Sequence, residues 1–364
     1  MTLYRYEDIK VVHLEITEKC QAACPMCNRN CSGIPGMIDG AINPNLGLHE
    51  LTLADVQQLL PPEFVKQLDR LFMCGNFGDP IIATDTLEVF KYLRDQNKDL
   101  SLGMHTNGGA KKPEWWRELA KVLGNNGQVT FGFDGLKDTN HLYRQGVNWN
   151  IAWNNAMAFI EAGGKARWAY LIFAHNEHQV EEAEALAKET GFDKFMPKKT
   201  SRFRNSRRNK SNSLIFTDRK SKRDEILQEP TQVKYQNISS AKIPVLQEKY
   251  GSMNNYHSNV EIKCKVSKEK SIYLSAEGLL LPCCWIGTSM YKPNEKPGKN
   301  QIWDLITESG GKTAFDTKVH GIKEVLNNAY FTHKLSESWK TPNRPVICSR
   351  TCGIELDAVT SQFS

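Results

Sequence analysis

The chain has 364 residues, of which 40% are hydrophobic and 24% charged, and a formal net charge of +6. Those proportions fit a globular protein of about two domains, and no apolar run reaches the length of about 18 residues that a membrane span requires. Met1 to Asp8 carry neither the basic start nor the apolar stretch of a signal peptide, so the expected location is the cytoplasm.

Residues 9–17 are rich in β-branched and apolar side chains and predict a first strand. A loop with Cys20, Cys24, Cys27 and Cys31 follows at once. Residues 51–68 have near-helical apolar spacing. Arg70 to Cys74 reads as a short strand that ends in the turn Gly75-Asn76-Phe77-Gly78-Asp79-Pro80. Strand and helix then alternate: a helix over 84–95, a strand from Leu100 to Thr106 closed by Asn107-Gly108-Gly109, and a helix over 113–123 begun by Pro113. Gln128 to Phe133 is a strand before Asp134-Gly135. A helix over 150–162, a strand from Ala166 to Ala174, a helix over 178–190 and a strand from Phe192 to Met196 complete the series. This alternation predicts a parallel sheet with right-handed crossovers, an α/β partial (β/α)6 TIM-like barrel. Sites in such folds lie at the carboxyl ends of the strands, where the cysteine loop and the Gly75–Pro80 turn both fall.

The pattern breaks near 198. From Lys198 to Arg223 there are eleven Lys or Arg and one acid, a formal +10, which leaves −4 for the rest of a chain totalling +6. Residues 200–213 read as a loop or insertion, with order returning near 260. Ser271 to Leu281 reads as a β-hairpin, and helices are expected at 302–306 and 315–326. The expected division is a core over 1–197, a basic insertion or linker over 198–259, and a small cysteine-rich α+β domain over 260–364.

Ten cysteines in a chain expected to sit in a reducing compartment point to metal or catalysis rather than disulfides. Cys20, Cys24 and Cys27, separated by three and two residues, suit three irons of a [4Fe–4S] cluster whose fourth iron stays open. The alternative is a structural zinc, with Cys31 or His13 as fourth ligand. The three-cysteine loop behind a first strand resembles the signature of the radical S-adenosylmethionine (SAM) superfamily, with Met26 where the family often has an aromatic residue. The resemblance covers residues 9 to about 197. It implies that SAM chelates the open iron and is cleaved to a 5′-deoxyadenosyl radical, which takes a hydrogen atom from substrate. Gly75, Asn76, Gly78 and Asp79 resemble the family's Gly-Gly-Glu-Pro turn, which binds the SAM amino group. Thr106, Asn107 and Asp134 also match positions that approach SAM or substrate, and Arg202 or Arg204 is placed to reach the SAM carboxylate.

Cys264, Cys283, Cys348 and Cys352 resemble the auxiliary-cluster extension of these enzymes, called SPASM or, in its short form, twitch. That resemblance implies a second [4Fe–4S] cluster, with a Cys₄ zinc site as the alternative. Cys284 points away from its neighbour on an extended backbone and is left out, while Cys74 is read as a small buried residue and Cys31 as a loop thiol. Asp134, His105, Tyr143, Arg144 and His175 are candidates for substrate contact or proton removal. The implied partners are a flavodoxin- or ferredoxin-like reductant and a peptide or small polar substrate to be oxidised or cross-linked. Lys198, Lys199, Arg202, Arg204, Arg207, Arg208 and Lys210 motivate an alternative, modification of RNA or a nucleotide. A zinc-stabilised binding protein without turnover is the reading of another class.

Overall fold

The computed structural model describes residues 5–31, 40–205, 212–292, 300–342 and 344–356. Eight strands form the central sheet: β1 (Val11–Leu14), β2 (Arg70–Cys74), β3 (Ser101–Thr106), β4 (Gly127–Gly132), β5 (Ala166–Ile172), β6 (Lys194–Lys199), β7 (Ser271–Leu274) and β8 (Leu280–Leu281). Their order is β8–β7–β1–β2–β3–β4–β5–β6. All neighbours are parallel except the β7–β8 hairpin. The sheet is a partial TIM-like barrel and does not close. The hairpin expected at 271–281 is present, and its first strand pairs with β1 in register from Val11↔Ser271 to Leu14↔Leu274.

Helices α1 (Leu53–Leu59), α2 (Thr86–Gln96), α3 (Pro113–Leu123), α4 (Trp149–Glu161) and α5 (Val180–Glu189) supply the crossovers. The apolar stretch 51–68 is two helices rather than one, because Pro61 and Pro62 stop α1 and start a second at Pro62–Gln67. The convex face of the sheet is sealed by these helices. Trp116 of α3 and Phe159 of α4 pack against Phe131 of β4, with ring centroids 5.2 and 6.0 Å away. Each fully buried side chain of this kind is worth about 1.5–3 kcal/mol.

The concave face is different. Along β5, burial alternates strictly: Ala166, Trp168, Tyr170 and Ile172 are buried, and Arg167, Ala169 and Leu171 are half-exposed. A period of two in burial is what a sheet more fully covered on one face produces. Order returns before residue 260. Ser213–Thr217 and Asp224–Gln228 pair antiparallel, since Leu214, Phe216 and Leu227 alternate with exposed Ile215 and Ile226 and bury one face. Two later helices carry cysteines, α6 (Cys284–Met290) and α7 (Val346–Cys352). Among the described residues no helix is long and apolar enough to cross a membrane.

Candidate active site

The loop behind β1 carries its three cysteines on a tight backbone. The Cys27 N–H donates to Cys24 O at 3.1 Å, the Asn30 N–H to Cys27 O at 3.0 Å, and the Asn30 amide to Cys24 O at 2.9 Å. Donors face the sulfurs. Ala22 N lies 3.4 Å and Asn107 Nδ2 3.7 Å from Cys20 Sγ, and Arg144 Nη1 lies 4.0 Å from Cys24 Sγ. Burial pushes the Cys20 thiol up, with Asp79, Cys24 and Cys27 adding to it. Burial also pushes Cys24 up to about 11, against the opposing pull of Arg144. Three thiols on one short loop, Cys24 buried and Cys20 and Cys27 half-buried, with N–H donors at Cys20 and Cys24, form a donor set suited to a bound cation, which would hold them as thiolates. Among the described residues no three His, Cys, Asp or Glu side chains come together around a single metal ion. The thiolates of a cluster bind different irons, so they need not converge on one point.

The turn after β2 stands beside this loop. A Cβ on Gly75 would lie 1.7 Å from Gly78 O, and one on Gly78 would lie 1.8 Å from Thr17 O, so neither position admits a side chain. Glu15, just beyond β1, shapes the turn from below. Its Oε1 accepts from Phe77 N at 2.7 Å and Gly78 N at 3.2 Å, and its Oε2 accepts from the Tyr273 hydroxyl. Asp79 is buried and occupied: Oδ2 accepts from Asn107 N at 2.8 Å and Oδ1 from Ile81 N at 3.2 Å. It thereby ties the turn after β2 to the turn after β3. Asn107 Oδ1 accepts from Gln21 Nε2 at 2.7 Å, and Thr106 Oγ1 accepts from Gly108 N at 3.0 Å. Asn76 does not face the cysteine loop with its amide, which donates to Cys284 O at 2.9 Å.

Asp134 and Arg144 form an ion pair at 2.6 Å with Asp134 only 1% exposed. Asp134 Oδ1 also accepts from Leu171 N at 2.6 Å, which fixes it to β5. Burial raises the carboxyl's pKa and Arg144 opposes the rise. The pair brings a cation to Cys24. Tyr143 stacks on Phe173 with ring centroids 4.6 Å apart and is buried. His105 belongs to the concave face, where burial first and then Lys198, His13 and Arg167 push its pKa down to about 3. His175 stacks on Phe173 at 5.4 Å, and the side chains that act on it electrostatically are His141 and His178 rather than the cysteine loop.

Two arginines of the basic segment turn inward. Arg202 Nη1 donates to Met26 O at 2.6 Å, inside the cysteine loop. Arg219 Nη2 donates to Asn30 Oδ1 at 2.6 Å, and its Nε to Gly40 O at 2.9 Å. Arg207, Arg208 and Lys210 lie outside the described residues, as does the side chain of Arg204. Sequence reasoning missed Glu15, Tyr273 and Arg219. For Glu15 a signal was present, an acid in an otherwise apolar strand pattern, but nothing local names its partners.

Cys264, Cys283, Cys348 and Cys352 line one pocket, whose other walls are apolar apart from Thr351. The local causes are visible. Cys348 and Cys352 are four apart on α7 and so share a face. Cys283 is the N-cap residue just before α6, and an isolated bridge Ile262↔Gly353, with Lys263 N donating to Cys352 O at 3.0 Å, brings Cys264 to Cys352. Cys284 does not line this pocket, and its electrostatic neighbours include Cys74 and Glu15 on the barrel side. Four thiols in an apolar enclosure fit a cluster or another thiolate-bound metal.

A partial barrel with cysteines at the carboxyl end of its first strand is the class that this fold and site define. The chain is similar in structure to SuiB of Streptococcus suis, with a TM-score of 0.51 and 12% identity over 93% of this chain and 77% of that one. It is similar to native anSMEcpe with bound AdoMet and Cp18Cys peptide, with a TM-score of 0.51 and 12% identity over 88% of this chain and 81% of that one. SuiB bound to precursor peptide SuiA also matches, with a TM-score of 0.48 and 13% identity over 93% and 76%. At these identities the likeness is one of fold. No family model matches the chain, and no curated protein matches its sequence.

Proposed function

We propose that the chain is a radical SAM enzyme acting on a peptide, with a second iron–sulfur cluster of the SPASM/twitch kind. The observation that carries the reading is the meeting of the Cys20–Cys27 loop with the side-chain-free turn at Gly75 and Gly78, bridged by the Asn107 amide near Cys20 Sγ. When bound, the cluster and SAM supply a 5′-deoxyadenosyl radical for hydrogen abstraction. Cys20, Cys24 and Cys27 hold the cluster. The carbonyls of the Gly75–Asp79 turn accept the ligand's ammonium group, and Glu15 keeps those carbonyls turned outward by engaging the N–H groups behind them. Asp79 acts through Asn107 rather than on the ligand itself. Arg144 brings positive charge to the thiolates and Asp134 orients it. Arg202 supplies a cation for the SAM carboxylate.

A peptide is favoured because a protein of the same fold was solved with AdoMet and a peptide together. Arg202 and Arg219 are engaged with the cysteine loop and its strand, which draws the basic segment toward the site rather than toward a polyanion. His105, Tyr143 and His175 are then substrate-side groups, and Cys264, Cys283, Cys348 and Cys352 hold the second cluster. The one-electron supply comes from a flavodoxin- or ferredoxin-like protein, and the reaction belongs to the oxidoreductases or maturases of a cytoplasmic pathway.

The test is 5′-deoxyadenosine formation by anaerobically reconstituted protein with SAM and dithionite. Product that vanishes in Cys24→Ala is the expected result. Zinc in place of iron, with no product, would end the reading.

A further inference from the structure

We infer that the Tyr330 hydroxyl donates a hydrogen bond to a cluster held by Cys264, Cys283, Cys348 and Cys352, and so tunes its reduction potential. The inference rests on the proposed second cluster. Tyr330 is completely buried, and its hydroxyl has no hydrogen-bond partner among the described residues. A buried polar group left unpaired is rare and points to a missing ion or ligand. The ring is held by Phe315 and Phe331, at centroid distances of 5.0 and 5.4 Å, which offer the hydroxyl nothing polar. The groups that act on it electrostatically are Cys348, Cys283 and Cys264, three of the four pocket thiols.

Two further observations agree. Trp339 lines the same pocket with its indole N–H turned to Cys348. Tyr330 also opens a π-helical turn, Tyr330–Lys334, a local departure from α-helix that is frequent at functional sites. Leu335 and Trp339, which follow this turn, line the cysteine pocket. Hydrogen bonds to cluster sulfurs are among the main determinants of potential, because donors stabilise the reduced, more negative state. Tyr330 is a positioning and tuning group here and not a catalytic one.

The test uses the full chain with Cys24→Ala, reconstituted anaerobically, so that the second cluster alone remains. Iron and sulfide analysis first establishes about four of each per chain. A dithionite titration followed by electron paramagnetic resonance then compares Tyr330→Phe with its parent. Tyr330→Phe keeps the ring and its packing and removes only the hydroxyl. The expected result is a reduction constant about tenfold lower, a potential ~59 mV more negative for one electron. Trp339→Phe should move it in the same direction. An unmoved potential in Tyr330→Phe, with the cluster intact, overturns the inference. A parent chain that binds no iron overturns the second-cluster reading, and this inference with it.

Discussion

Tyr273 donates its hydroxyl to Glu15 across the seam between β7 and β1, and the same carboxylate accepts the N–H groups of Phe77 and Gly78. One buried acid therefore joins a strand from the end of the chain to the turn beside the cysteine loop.

That acid makes stability depend on pH. Burial is the largest influence and lifts the Glu15 pKa to about 7, although Tyr273 and the two N–H groups oppose it. The unfolded carboxyl titrates near 4.5. Between these values the folded state holds a proton that the unfolded state has lost, so stability falls as pH rises. The contribution is complete below about 4.5 and gone above about 7, a loss of about 3 kcal/mol from one group. Glu15→Gln should flatten this window. Urea unfolding at pH 5 and pH 7 measures it, and an equal pH slope in both proteins refutes it.

Asp134 is costly to lose from its ion pair with Arg144. It is buried, and without it Arg144 stands uncompensated beside Cys24. Asp134→Ala should destabilise the fold by about 3–5 kcal/mol, the usual cost of breaking a buried pair. Guanidinium unfolding of the two proteins gives the difference directly.

The turn at Gly78 has no room. An alanine Cβ would meet Thr17 O at 1.8 Å, a backbone atom that cannot swing aside. Gly78→Ala should weaken SAM binding at least tenfold, read by equilibrium dialysis with labelled SAM. Gly163→Ala is a useful contrast for stability. Its Cβ would meet nothing within 4 Å, but its φ of +86° makes alanine strained there.

Adjacent cysteines should behave differently. Cys283 lines the four-thiol pocket and Cys284 does not. Cys283→Ser should lose about half of the bound iron of a two-cluster protein, whereas Cys284→Ser should retain it. Iron analysis after anaerobic reconstitution separates the two. Equal losses would remove the assignment.

Much of this was legible in the residues. Strand–helix alternation gave the parallel sheet and its direction, because apolar periodicities of two and 3.6 are local properties of the chain. The Gly75–Pro80 turn was also visible, since tight turns advertise themselves through glycine and proline. Pro61-Pro62 carried the break in residues 51–68, which the periodicity alone ran through. The hairpin at Ser213–Gln228 was hidden by the charge around it. Its buried face consists of Leu214, Phe216 and Leu227, too few residues to stand out from a basic stretch.

By itself the sequence determined which thiols come in groups, where the chain must turn tightly and which segments alternate, since each follows from neighbouring residues. Only the tertiary structure decided that β7 lies against β1, that Glu15 reaches Tyr273, that Arg219 meets Asn30, and that Cys283 and Cys284 look into different spaces. Those contacts join residues as far apart as Val11 and Ser271, 260 positions along the chain. They are selected by the packing of whole surfaces and the need to pair every buried polar group, and no local pattern encodes that choice.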